Sequence, residues 1–269
     1  MGSEMCIRDR DKILTYSGAA LSLGANTLTL SGGGTLSNTN ALVLNNADSI
    51  LTLDDTMTVG AVSVTANSNS DKGLAINASS TISSLTVSAD TELNIADEIT
   101  LSGATEIAED KTLKLSSTGT FGSTLNLKGT LQAGASLTVS GLISVGGDSA
   151  ISIPSAEKTL TYSGGDLDVG ANTLSIEGAG TLSNSSDSAL VLDVADSILD
   201  LTGSGTVSGP VKLESGTLKS SGSPTISGAI TQSADATIEV STDQTLTYSG
   251  ASLSVEAVSY THLTLPTKA

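Results

Sequence analysis

The sequence predicts an all-β chain folded as a right-handed parallel β-helix (β-solenoid), with about three short strands per coil of roughly 20–25 residues. Three observations predict it. Apolar residues recur as i, i+2 pairs, the period of a half-buried strand. Gly, Asn, Asp and Ser separate the pairs and suit turns, because they tolerate positive φ or bond their own backbone. The chain also repeats itself internally, and no adequate window shows a helical period.

The pairs run along the whole chain. In the first half they are Leu21/Leu23, Leu28/Leu30, Leu42/Leu44, Leu51/Leu53, Val62/Val64, Leu74/Ile76, Leu93/Ile95, Leu113/Leu115, Leu125/Leu127, Leu137/Val139 and Ile151/Ile153. They continue with Leu167/Val169, Leu174/Ile176, Leu190/Leu192, Leu199/Leu201, Val211/Leu213, Ile238/Val240 and Leu253/Val255. Strand starts recur roughly every 6–9 residues, so three strands make one coil. The steps from Leu28 to Leu51 and from Leu174 to Ile198 each fit one coil, and about ten or eleven coils fill residues 11–257. One coil cannot bury its apolar face alone, so neighbours must stack. The strands at either end of such a stack are aggregation edges.

The string LTYSG occurs at 14–18, 160–164 and 246–250. Residues 14–51 match 160–199 over their whole length, with a short insertion near Asp187. Long duplication with a slipped loop is the mark of repeat architecture. A left-handed helix of hexapeptides is disfavoured because no strict six-residue period is present. A string of β-sandwiches would place large aromatics in its core, and the aromatic content is 2%.

The two ends differ from everything between them. All the Cys, His and Arg of the chain lie there: Cys6, Arg8, Arg10 and His262. Written as GTC TCT TAT ACA CAT, residues 258–262 read on the opposite strand as ATG TGT ATA AGA GAC, which encodes residues 5–9. Both ends resemble translated mosaic-end adapter DNA from transposase-based sequencing libraries. The resemblance implies that residues 1–10 and 258–269 are not biological. Residues 11–257 are then a single solenoid fragment whose natural start and end lie elsewhere.

Composition bounds the partners. The chain carries 11 Lys+Arg against 28 Asp+Glu, a net charge of −17. Such a surface repels nucleic-acid phosphates, which are bound by Lys and Arg, so no nucleic-acid partner is expected. No stretch reaches the roughly 18 apolar residues of a membrane helix, so no direct membrane insertion is expected. Between the tails there is no Cys, which excludes a disulfide-stapled scaffold.

Little in the chain carries chemistry, and no catalytic, cofactor-binding or metal site is expected. Ser–His catalysis needs a base beside the nucleophile, and the sole His is His262. Two carboxylates suffice for glycoside hydrolysis, but nothing singles out a pair. Asp166 and Asp168 in SGGDLDVG align with Ala20 and Ser22 in the first copy, and with Ser252 and Ser254 in the third. They are read as solvated outward charges, as are Asp54 and Asp55. Asp48 and Asp196 recur in ADSIL and are read as turn-capping carboxylates. Tyr16, Tyr162 and Tyr248 share one repeat position and are read as strand residues in or beside the core, rather than a sugar-stacking row. Asn77 and Asn184 match the glycosylation pattern by chance. Outward Thr and Ser raise ice binding as a function. Because the coil length is not fixed, an unbroken aligned threonine lattice is not expected.

The stretches GANTLTLSGGGTLSN and GANTLSIEGAGTLSN resemble the repetitive passenger regions of bacterial autotransporters and large secreted adhesins. The resemblance implies export to the extracellular space or outer cell surface, and a non-enzymatic stalk-like or adhesive role. Host-surface or biofilm glycans, or other cell-surface proteins, are the partners it implies. The alternatives are a carbohydrate-active β-helix (polysaccharide-degrading enzyme or phage tail fibre) and an ice-binding solenoid. A cleft with clustered acids and Lys would favour the first alternative. A uniform Ser/Thr surface would favour the adhesin.

Overall fold

The computed structural model describes residues 12–66, 73–96, 98–250 and 253–255. The two terminal segments, with Cys6 and His262, lie outside the described residues. The described residues form thirty-three short strands and no helix. Among the described residues the strands of successive turns pair in parallel, as in Ile13–Tyr16 with Gly34–Asn38 or Thr27–Leu30 with Ile50–Leu53. The chain is a β-solenoid of three faces. Its first turn places Ile13–Tyr16 on the first face, Leu21–Ser22 on the second and Thr27–Leu30 on the third. Ten further turns repeat this order, and Thr247–Tyr248 and Leu253–Val255 begin a twelfth.

The turns are unequal, but the strands stay in register. One turn separates Gly119 from Leu137, 18 residues on, and Thr181 from Thr206, 25 residues on. The corners absorb the difference. Three residues join Gly34–Asn38 to Leu42–Leu44, whereas five join Thr181–Asn184 to Leu190–Leu192 in the duplicated copy. Met57–Val64 and Ser80–Val87 round the same corner as continuous strands. Leu28 pairs with Leu51 as expected. Leu174 pairs with Leu199 rather than Ile198, which stacks on Thr173 instead. That correction of one residue matters, because a one-residue slip turns every side chain to the opposite face.

Inward positions stack into columns. On the first face, Leu36, Val59, Ile82, Leu101, Phe121, Val139 and Tyr162 lie one above another, each buried. On the third face the column is Leu28, Leu51, Leu74, Leu93 and Leu115. Each buried aliphatic side chain stabilises the stack by about 1.5–3 kcal/mol. The predicted pairs occupy inward positions of this kind on the three faces, and Ile238 and Leu253 still stack by register on Leu218 and Ile230. Ile238 and Val240 are 46% and 45% exposed, and Leu253 is 54% exposed, on the outermost described strands of their faces.

Glycine has a particular role at the corners. Gly141 and Gly164 stack directly, and a Cβ on Gly164 would drive into the Gly141 carbonyl. Neither has the positive φ that usually demands glycine. The requirement is close approach: neighbouring strands sit only ~4.8 Å apart, and at this corner Cβ would point along the stacking direction.

Candidate functional site: a hydroxyl-lined sheet face

The outward side chains of the first face form one row of hydroxyls. Thr35, Thr58, Thr81, Thr100, Thr120, Thr138 and Thr161 are register partners on seven consecutive turns. Ser183 follows opposite Thr161. Ser208, Ser227 and Ser249 extend the row, each donating its backbone N–H to the turn before it. A second row runs two residues upstream. Thr159, Thr181, Thr206, Thr225 and Thr247 are register partners, and Thr118 and Ser136 precede them on the same side of the strands. Two hydroxyl rows thus run side by side over seven turns, from Thr118/Thr120 to Thr247/Ser249.

The sequence builds this face from local preferences. Thr is β-branched and fits a pleated surface, and its stiff χ1 limits where the hydroxyl points. Stacked Thr–Thr neighbours contribute roughly 0.2–1 kcal/mol each. The absence of an aligned lattice, expected from the irregular coil length, is therefore corrected. Length varies in the corners, while ladder hydrogen bonds hold the strands, so threonines 18 to 23 residues apart still align.

Charge avoids this face. None of its strands contains Asp, Glu, Lys or Arg. Glu98, just before Ile99–Leu101, stands where the second row stops. The third face carries Glu92, Lys114, Glu177, Asp200, Lys219 and Glu239 within its strands. The second carries Glu106, Asp168 and Lys212. Between the two hydroxyl rows lies a shallow trough of about 350 Å³, lined by Thr118, Thr120, Ser136, Thr138, Thr159 and Thr161 together with Glu98.

The chain matches no protein-family model, no curated protein and no solved structure. Its function must be argued from its own surface.

The other sequence candidates fall into structural places. Tyr162 is fully buried, and its hydroxyl accepts the Ile143 N–H at 3.4 Å. Burial pushes that hydroxyl's pKa up, the Ile143 bond opposes the rise, and Asp166 adds to it. Tyr16 is half-buried against the core and donates to the Ala19 carbonyl at 2.8 Å. Tyr248 also packs there. Asn184 is buried, and its amide donates to the Ser188 and Pro210 carbonyls, so a glycan has no access to it in the fold. Asn77 donates to Asp54 at 2.6 Å. In ADSIL the serines brace the turn. Ser197 donates to Gly170 of the previous turn at 2.6 Å and accepts the Val194 N–H, and Ser49 makes the equivalent bonds to Gly24 and Asn46. The repeated Ser in ADSIL was the available signal for this role.

Several carboxylates tie one turn to the next. Asp90 accepts the Thr112 N–H, Asp148 that of Thr173, Asp55 that of Gly32 and Asp166 that of Ala189. Asp55 and Asp166, expected as solvated outward charges, are thus braces between turns, and Asp90 and Asp148 join them without any expectation from the sequence. Their spacing of one coil from a strand start was the only available clue. Asp168 instead caps its own turn through the Gly170 N–H. Three lysines pair with acids on neighbouring turns, Lys114 with Glu92, Lys128 with Glu106 and Lys219 with Asp200, and Lys212 reaches across two turns to Asp166. No group of three or more metal-ligating side chains occurs among the described residues.

Asp166 and Asp168 also line a groove of about 200 Å³ on the second face, with Leu142 and Ser144. Here the ladder is interrupted between Ile143–Val145 and Leu167–Asp168. The hydrogen bond from Lys212, then that from Ala189, holds the Asp166 carboxyl below its ordinary range. At neutral pH Asp166 is therefore an ionised partner of Lys212.

Proposed function

We propose that the chain is a non-enzymatic, elongated extracellular surface protein whose first face is a multivalent binding surface. The observation that carries this reading is the uncharged hydroxyl face, continuous from Thr35 to Ser249 on an otherwise acidic protein. Eleven turns at ~4.8 Å per strand extend the rows over roughly 50 Å. A partner with repeating hydroxyls meets the same weak site many times, and linked weak contacts raise affinity by ~10²–10⁴ without one strong site. Host-surface or biofilm glycans, or other cell-surface proteins, are partners of that kind. The uncharged Ser/Thr face favours the adhesive reading over a carbohydrate-degrading one, which would call for clustered acids and lysines on the face that binds.

The test is retention of the chain on immobilised glycans. Thr120→Lys, Thr138→Lys and Thr161→Lys together place charge in the middle of the face. They are expected to lower retention by ~10²-fold or more through lost avidity. Thr52→Lys, Asn94→Lys and Gln132→Lys, outward on the third face, are expected to change it little. Equal loss in both variants would remove the first face from the account.

A further inference from the structure

We propose that the double-row part of the first face binds ice. The inference rests on the reading of this face as the binding surface and names its partner. Four features carry it. The rows form a two-dimensional array, ~4.8 Å apart between strands and ~6.6 Å apart along them. The spacing between strands lies near the shorter oxygen repeat on a prism plane of hexagonal ice, and the spacing along them falls somewhat short of the longer one. The array is doubled without a break over seven turns, from Thr118/Thr120 to Thr247/Ser249. No charge lies in the strands beneath it, whereas the other two faces carry acids and lysines. Charge orients water in its own field and disrupts a lattice, and ice offers no charge to pair with.

The fourth feature is the trough of about 350 Å³ between the rows, with Glu98 at one end and hydroxyls along the rest, the volume of on the order of ten waters. Threonine suits both walls. Its hydroxyl hydrogen-bonds a water while its methyl group limits how many others approach. Its restricted χ1 means little rotamer freedom is lost on docking. A glycan chain would engage a few hydroxyls at a time. A crystal plane engages all of them at once, which is what an in-register array over many turns provides.

The experiment grows ice slowly from a dilute solution of the full chain and measures protein incorporated into ice. Recrystallisation of small ice crystals is followed in parallel. The chain is expected to enter the ice and to arrest recrystallisation, and the third-face lysine variant to do the same. The Thr120→Lys, Thr138→Lys, Thr161→Lys variant is expected to be excluded like an inert protein. A Thr120→Val, Thr138→Val, Thr161→Val variant keeps the branched shape and strand preference, so it tests the hydroxyls if the lysines disturb folding. It is expected to lose most incorporation. Exclusion of the unmodified chain from ice would overturn the proposal. If that chain still held glycans through the first face, the broader reading would stand. If the first-face and third-face variants matched in both assays, the broader reading would fall as well.

Discussion

Replacing Gly164 by valine is expected to prevent the solenoid from closing around its eighth turn. The added Cβ would meet the Gly141 carbonyl and the Leu142 amide of the turn beneath. Ordinary overpacking costs ~1–3 kcal/mol because side chains can rotate aside. Here backbone must move, and moving it breaks the first-face ladder beside the corner, where the Ser163 N–H donates to the Val139 carbonyl. Gly164→Ala is expected to destabilise nearly as much, since the first carbon makes the clash. Gly147→Ala is the control. Its Cβ would find only Lys128 at 4.0 Å, its φ is not positive, and a gain of ~0.4–1 kcal/mol is expected from the stiffer unfolded chain. Thermal unfolding followed by far-ultraviolet circular dichroism distinguishes the two. Equal stability of Gly164→Ala and Gly147→Ala would refute the close-approach argument.

Tyr162→Ala is expected to cost about 3–5 kcal/mol, the range for losing a buried ring. The same substitution at Tyr16 should cost less than half as much, because that ring is only partly covered. The hydroxyl adds a pH dependence. Burial raises the Tyr162 pKa in the folded chain, so the folded state holds this proton to higher pH than the unfolded one. The stabilisation is complete below the unfolded value of about 10 and is lost as pH rises through the raised folded value. Tyr162→Phe has no proton to lose. Its urea midpoint should therefore fall less than that of the unmodified chain between about pH 9 and about pH 11. Identical alkaline losses in the two proteins would show that the buried hydroxyl is not the titrating group.

These residues also show what could be read before the structure. The i, i+2 pairs placed the inward columns, because burial on one side of a strand leaves a period of two. The coil was legible from the steps between them, to within one residue at Leu199. The first-face strands were harder to see. Several offer one large aliphatic followed by a different residue, as in Leu182 with Asn184 or Leu160 with Tyr162, so they formed no apolar pair. The hydroxyl rows were hidden for a related reason. Thr120, Thr138 and Thr161 lie at unequal spacing, and only the ladder, which skips corner length, brings them into line. The carboxylate braces were hidden because each bond joins residues about one coil apart, with no local motif around them.

The central claim is that strands stay in register across unequal turns, so that hydroxyls from Thr35 to Ser249 form one straight row. Nitroxide labels test it directly, in a chain carrying Cys6→Ser. One pair is placed at Thr35→Cys and Thr161→Cys, six turns apart, and another at Thr35→Cys and Ser227→Cys, nine turns apart. At one strand spacing per turn, the expected separations are about 29 Å and about 43 Å, both narrowly distributed. Broad distributions, or separations away from these two values, would contradict the stacked register and the proposed binding face built on it.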